Sequence, residues 1–148
     1  MGIGVEKVTA EDFAKIAKDA HLACFNEDRP ADFNRFDYAL VCHRDHENLT
    51  AYATILEHDA NSAYMQHGGT FSDNGMLTVK SYLLMIEWLK RNYGAITTRI
   101  FNDNIPMLKL ALTAGLQIHG IEYYKDSDNF KGGVLLCLSM ESEYFNEQ

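Results

Sequence analysis

The sequence predicts an α/β domain with a mixed central sheet of about six or seven strands and flanking helices, and three observations predict it. A strand, helix, strand, helix run fills residues 62–115; strand-like runs joined by turns precede it; two further strand-like runs follow it. A βαβ unit needs a crossover helix, so residues 62–71 and 95–101 are expected to pair in parallel, and the strands before them to form an antiparallel meander. All 148 residues are expected to form one domain, with 141–148 as a frayed acidic tail.

Residues 3–8 alternate apolar and polar and read as a short strand. Thr9 can cap the helix that follows, with Asp12 where a capping box carries Glu. That helix is expected to reach about Cys24, with Phe13, Ile16, Ala17, Ala20 and Cys24 on one face. The polar stretch 26–34, interrupted by Pro30, reads as a loop free to cover a ligand mouth. Residues 37–44 and 49–58 read as strands separated by the turn 45–48, and the turn 59–61 leads into the strand 62–71.

After the turn 72–74, residues 75–93 form an amphipathic helix. Its stripe Leu77, Leu84, Ile86, Trp88 and Leu89 is expected in the core, with Met76, Met85 and Met107 filling gaps. Asn104 caps the next helix, Pro106 is tolerated in its first turn, and Gly115 ends it in the left-handed region. Residues 116–125 and 133–140 read as closing strands around the polar turn DSDNFKGG.

A hydrophobic fraction of 47% supports a real core, and a formal charge of -8 with scattered lysines and arginines argues against a nucleic-acid groove. The three cysteines, Cys24, Cys42 and Cys137, lie far apart in apolar contexts, which suits reduced thiols and a cytoplasmic protein. No apolar run approaches membrane length and the first residues show no signal pattern, so no membrane partner is expected. His43, His46, His58 and His67 lack the spacing of a zinc motif, so no metal is expected.

This order of elements resembles the GCN5-related N-acetyltransferase family over nearly the whole chain. The closest local match is NIPMLKLALTAGLQIHG from Asn104 to Gly120, which is similar to the family's N-x-x-A…G-F…G segment. In it Met107 takes the place of the small residue and Gly115-Leu116 that of Gly-Phe.

The resemblance implies acetyl-CoA as donor, an amine as acceptor, and a β-bulge in the strand 62–71 that opens a slot for the pantetheine arm. The pair Gly68-Gly69 fits that bulge, because glycines weaken a strand unless a bulge or a closely approaching ligand needs them. Amides near Gly69 and Thr70 would stabilise the oxyanion. The donor site is expected from Gly69, Thr70, Phe71, Asn74, Gly75, Met76, Leu77 and Thr78, together with Asn104 and Met107. For catalysis the candidates are His67 as general base, Glu57 at the end of the preceding strand, and Tyr64 lining an acceptor pocket. Acidic residues in the two long loops favour a cationic acceptor.

The sequence departs from the family pattern in two places. Where members carry Q/R-x-x-G-x-G/A, this chain has Asn74-Gly75-Met76-Leu77-Thr78-Val79, with Leu77 and Val79 at the two glycine positions. The family's tyrosine, four residues before the Gly-Phe pair, is Ala111 here. The Asn104 segment is also similar to that of small phage-type members with eroded glycine loops. A second reading therefore stays open, a non-catalytic binding or assembly module with a protein partner, and a homodimer through the closing strands is compatible with either.

Overall fold

The computed structural model describes residues 2–16, 36–44, 48–71, 74–126 and 132–141. Its elements in chain order are β1 (Ile3–Thr9), α1 (Ala10–Ile16), β2 (Tyr38–Arg44), β3 (Asn48–Asp59), β4 (Ser62–Thr70), α2 (Gly75–Asn92), β5 (Ala95–Phe101), α3 (Ile105–Thr113), β6 (Gln117–Tyr124) and β7 (Gly133–Glu141). The expectations for Ala17, Ala20 and Cys24, for the loop 26–34 and for the tail beyond Glu141 lie outside the described residues.

The strands form one sheet in the order β1-β2-β3-β4-β5-β7-β6. Only β4 and β5 run parallel; all other neighbours are antiparallel. The expected mixed α/β sheet and its parallel pair are therefore present. The last strand in sequence inserts between β5 and β6, so β6 becomes an edge.

Local chemistry sets the helix ends. Thr9 Oγ1 accepts the Asp12 amide at 3.1 Å and starts α1. Asn104 Oδ1 accepts the Met107 amide at 3.4 Å with Pro106 in the first turn of α3. At the other end the Gly115 amide donates to Leu112 and the Leu116 amide to Ala111, a Schellman closure that needs φ +106° at Gly115.

Two apolar layers cover the sheet. Leu40, Ala53, Ile55, Met65, Ile96 and Leu138 pack with residues of α2 and α3 on one face. Phe13, Ala39, Val41 and Tyr52 form a smaller cluster on the other. Ile16, expected on the buried side of α1, is 39% exposed.

The buried face of α2 differs from the expected stripe: Ser81, Tyr82, Met85, Ile86 and Leu89 are buried, while Leu84 is partly exposed and Met76 is 71% exposed. Two polar side chains take the place of leucines because the sheet supplies their partners. Ser81 Oγ meets the Thr50 hydroxyl at 2.7 Å and donates to the Leu77 carbonyl at 2.6 Å. The Tyr82 hydroxyl donates to the carbonyls of Tyr52 and Gly69, at 3.2 and 3.3 Å. Both of these buried side chains are satisfied, so the helix approaches the sheet closely at Ser81 and Tyr82.

At the far end of α2, Tyr93 donates to the Glu57 carboxylate, and Tyr93 in turn meets the Tyr38 hydroxyl. Burial above all pushes the Tyr38 hydroxyl up from 10.0 to about 12, and burial pushes the Cys42 thiol from 9.0 to about 12. Both groups are neutral in the fold at a pH where the unfolded chain has begun to ionise them, so their contribution is full below pH 9 and is lost as pH rises towards 12. Thermal melts are expected to be level up to about pH 9 and to fall above it. Tyr38→Phe is expected to melt earlier at neutral pH yet with a shallower alkaline decline; an unchanged slope between pH 10 and 12 would contradict the assignment.

Candidate functional site

The parallel pairing of β4 with β5 runs from Ser62–Ala95 to Met65–Thr98 and stops there, although β4 continues to Thr70 and β5 to Phe101. The Thr98 hydroxyl donates to the Met65 carbonyl at 2.9 Å and closes the last rung. Beyond it the strands part, and a cleft of about 740 Å³ opens between them.

The cause of the parting is a bulge. In the β3–β4 ladder Thr54 faces His67 and Ile55 faces Met65, so Gln66 is the extra residue. The sequence reading placed the bulge at Gly68-Gly69; these glycines instead sit in regular register opposite Ala53 and Tyr52. They are needed for close approach: a Cβ at Gly68 would lie 2.2 Å from the Tyr82 hydroxyl, and one at Gly69 would lie 2.5 Å from the Tyr52 ring. Two tyrosines thus cover the glycine pair from opposite faces of the sheet.

The Phe71 amide donates to the Thr50 carbonyl at 2.9 Å. By the alternation of an antiparallel ladder, the Gly69 amide then belongs to Tyr52, and the amides of Gly68 and Thr70 face the cleft. Of the amides in the region where the resemblance implies oxyanion donors, near Gly69 and Thr70, this alternation turns those of Gly68 and Thr70 towards the cleft.

Among the sequence-predicted residues, Tyr64, His67, Gly69 and Thr70 line the cleft from β4. Gly75 and Thr78 line it from the start of α2, and Asn104 and Met107 from α3. Glu57, Phe71, Asn74, Met76 and Leu77 are not part of its wall. Glu57 is taken by Tyr93. Phe71 packs against Tyr52 with the rings tilted, centroids 5.3 Å apart, on the α1 side. The long aliphatic side chain of Met76 points into solvent.

Asn74 caps α2: its Oδ1 accepts the amides of Met76 at 3.0 Å and Leu77 at 3.3 Å. Beside this cap the Thr78 hydroxyl lies 3.0 Å from that of Thr70, which ties the helix start to the end of β4. The end of the cleft nearest α2 therefore combines a helix N-terminus, two hydroxyls and the amide of Thr70.

On the other side of the sheet the cleft is bounded by Tyr64, Gln66, Arg99 and Leu135. Arg99 lies over the Tyr64 ring at 5.5 Å and pairs with Glu122 at 3.3 Å, while the Tyr124 hydroxyl donates to Glu122 at 2.8 Å. Burial raises the Tyr64 pKa, and the neighbouring Arg99 charge partly offsets this. Tyr64 is hence a neutral hydroxyl at physiological pH. Tyr123 is 70% exposed on the edge strand β6.

Sequence reasoning missed Gln66 and Arg99. The signal for Gln66 is a bulge, which depends on the partner strand; the signal for Arg99 is its place one residue past the last parallel rung. Ala111, at the position of the family's tyrosine, is 1% exposed on the core-facing side of α3.

No protein-family model and no curated protein sequence matches the chain. Solved structures do. An IAA acetyltransferase from Bacillus cereus superposes with a TM-score of 0.70 at 16% identity, covering 95% of this chain and 99% of its own. Mutant forms of the spermidine/spermine N-acetyltransferase of Vibrio cholerae give 0.69 at 12% identity, with 99% of each chain covered. A Salmonella typhimurium protein solved with its cofactor acetyl-CoA gives 0.65 at 12% identity over 97% of this chain and 95% of that one. The strand order, the single parallel pair that parts beyond a bulge, and these superpositions agree: the chain has the fold of the GCN5-related N-acetyltransferases.

Proposed function

We propose that the protein is an acyl-CoA-dependent N-acetyltransferase acting on a small-molecule or protein amine. The observation that carries this reading is the parting of β4 and β5, which leaves backbone amides of Gly68 and Thr70 facing an open cleft that runs from the N-terminus of α2 to the bulge. Strand amides along a cleft wall suit a pantetheine arm, which offers amide carbonyls along its length, and the α2 end with Thr78 suits a pyrophosphate. Of the two side chains at the family's glycine positions, Leu77 does not line the cleft and Val79 does, so the room left for a pyrophosphate at that end depends on Val79.

Acetyl-CoA supplies an acetyl group activated as a thioester. The amine lone pair forms the N–C bond while the carbonyl pair moves onto oxygen; return of that pair breaks the C–S bond, and the thiolate takes a proton from solvent. The protein's part is to hold the two reactants in line and to remove the ammonium proton, for which His67 beside the bulge is the assigned base. Tyr64 borders the acceptor side.

The test is calorimetric titration with acetyl-CoA, followed by a thiol-release assay with spermidine, glycinamide and a peptide with a free amino terminus. Saturable binding and release of CoA with one of these amines are expected. No binding at millimolar acetyl-CoA would overturn the reading and direct the search to a protein partner.

A further inference from the structure

The bulge is held by a side chain where the ladder would otherwise hold it. Thr54 is 3% exposed on β3, opposite the bulge. Its Oγ1 accepts the His67 amide at 3.1 Å and donates its own proton to Gln66 Oε1 at 3.3 Å. One hydroxyl therefore holds the His67 amide at the last ladder pair before the bulge and grips the side chain of the extra residue. In a carboxamide the oxygen and the NH2 group diverge from the same carbon. Anchoring Oε1 on β3 turns the two N–H donors of Gln66 away from β3, and Gln66 lines the cleft where β4 and β5 part.

We propose that Gln66 donates a hydrogen bond to the acyl carbonyl oxygen in the cleft and that Thr54 is the residue that positions it. This rests on the acyl-transfer reading above. Attack by the amine places negative charge on that oxygen. A donor already oriented by a buried hydroxyl stabilises the charge without reorganising, and it exchanges no proton. The donor is in place before reaction because one buried hydroxyl both accepts the His67 amide and holds Gln66 Oε1.

The test uses acetyl-CoA labelled with carbon-13 at the thioester carbonyl, whose resonance moves downfield when the oxygen accepts a hydrogen bond. Binding to the full chain is expected to give such a displacement. Gln66→Ala and the isosteric Gln66→Glu are expected to abolish it, Thr54→Val to reduce it, and Thr54→Ser, which keeps the hydroxyl, to restore it. With the fastest amine of the panel, kcat is expected to fall about 100-fold in both Gln66 variants, with KM for acetyl-CoA within about threefold of the parent. Thr54→Val is expected to lose about fivefold in kcat. A resonance displaced equally in the parent and in both Gln66 variants overturns the proposal while leaving the transferase reading intact. A parent protein that does not bind acetyl-CoA at all overturns that reading, and this proposal with it.

Discussion

Gly68→Ala is expected to destabilise the protein by about 3 kcal/mol, the upper end for overpacking a well-filled core, and to lower the melting temperature by roughly 6–12 °C for a domain of this size. The added methyl would stand 2.2 Å from the Tyr82 hydroxyl and 2.8 Å from its ring. Tyr82 cannot swing aside, because it is 6% exposed and its hydroxyl is held by the carbonyls of Tyr52 and Gly69. Either α2 lifts from the sheet or β4 bends away. The first loosens the core and the second changes the width of the cleft that Gly68 lines. Tyr82→Phe removes the nearest atom, so the double variant should recover part of the loss, and the two substitutions should be strongly non-additive in chemical denaturation. Additive effects would show that the two residues do not meet as described.

Thr78→Glu is expected to separate folding from ligand binding. The position lies in the first turn of α2, where a carboxylate interacts favourably with the helix dipole by about 0.3–1 kcal/mol. That gain roughly offsets the lost contact to Thr70, 3.0 Å away, so the melting temperature should change by no more than about 2 °C. The same carboxylate would stand where the proposed reading seats the pyrophosphate. Two like charges about 4 Å apart at an effective dielectric constant near 20 repel by about 4 kcal/mol, of which solvent and salt remove a good part. Acetyl-CoA affinity should therefore fall by at least about 30-fold, while pantetheine, which lacks the pyrophosphate, should bind the parent and the variant alike. Equal loss of both ligands would place the pyrophosphate elsewhere.

The kinds and order of the elements were legible because their causes are local. The alternation in β1, the Thr9 cap, the Asn104 cap with Pro106, and Gly115 at φ +106° each follow from a few neighbouring residues and are found where those residues predict them. The α2 stripe was only partly legible. Periodicity favours leucines for the buried face, but Ser81 and Tyr82 are buried because Thr50 and two strand carbonyls happen to face them. No window along the helix contains that information.

The candidate site shows the same division. The glycine pair signals that something approaches β4 closely, and the sequence cannot say whether it is a ligand, a bulge or a side chain; it is the rings of Tyr82 and Tyr52. Glu57 is an attractive carboxylate at a strand end until the C-cap of α2 brings Tyr93 against it. The sequence by itself determined a mixed α/β domain with a β4–α2–β5 unit, since hydrophobic period and capping chemistry are properties of contiguous residues. Only the tertiary structure decided where the bulge falls. Register is set across strands, and shifting the bulge by one residue exchanges which side chains face the cleft. Placing it at Gln66 engages Thr54, parts β4 from β5 and gives the fold its cleft.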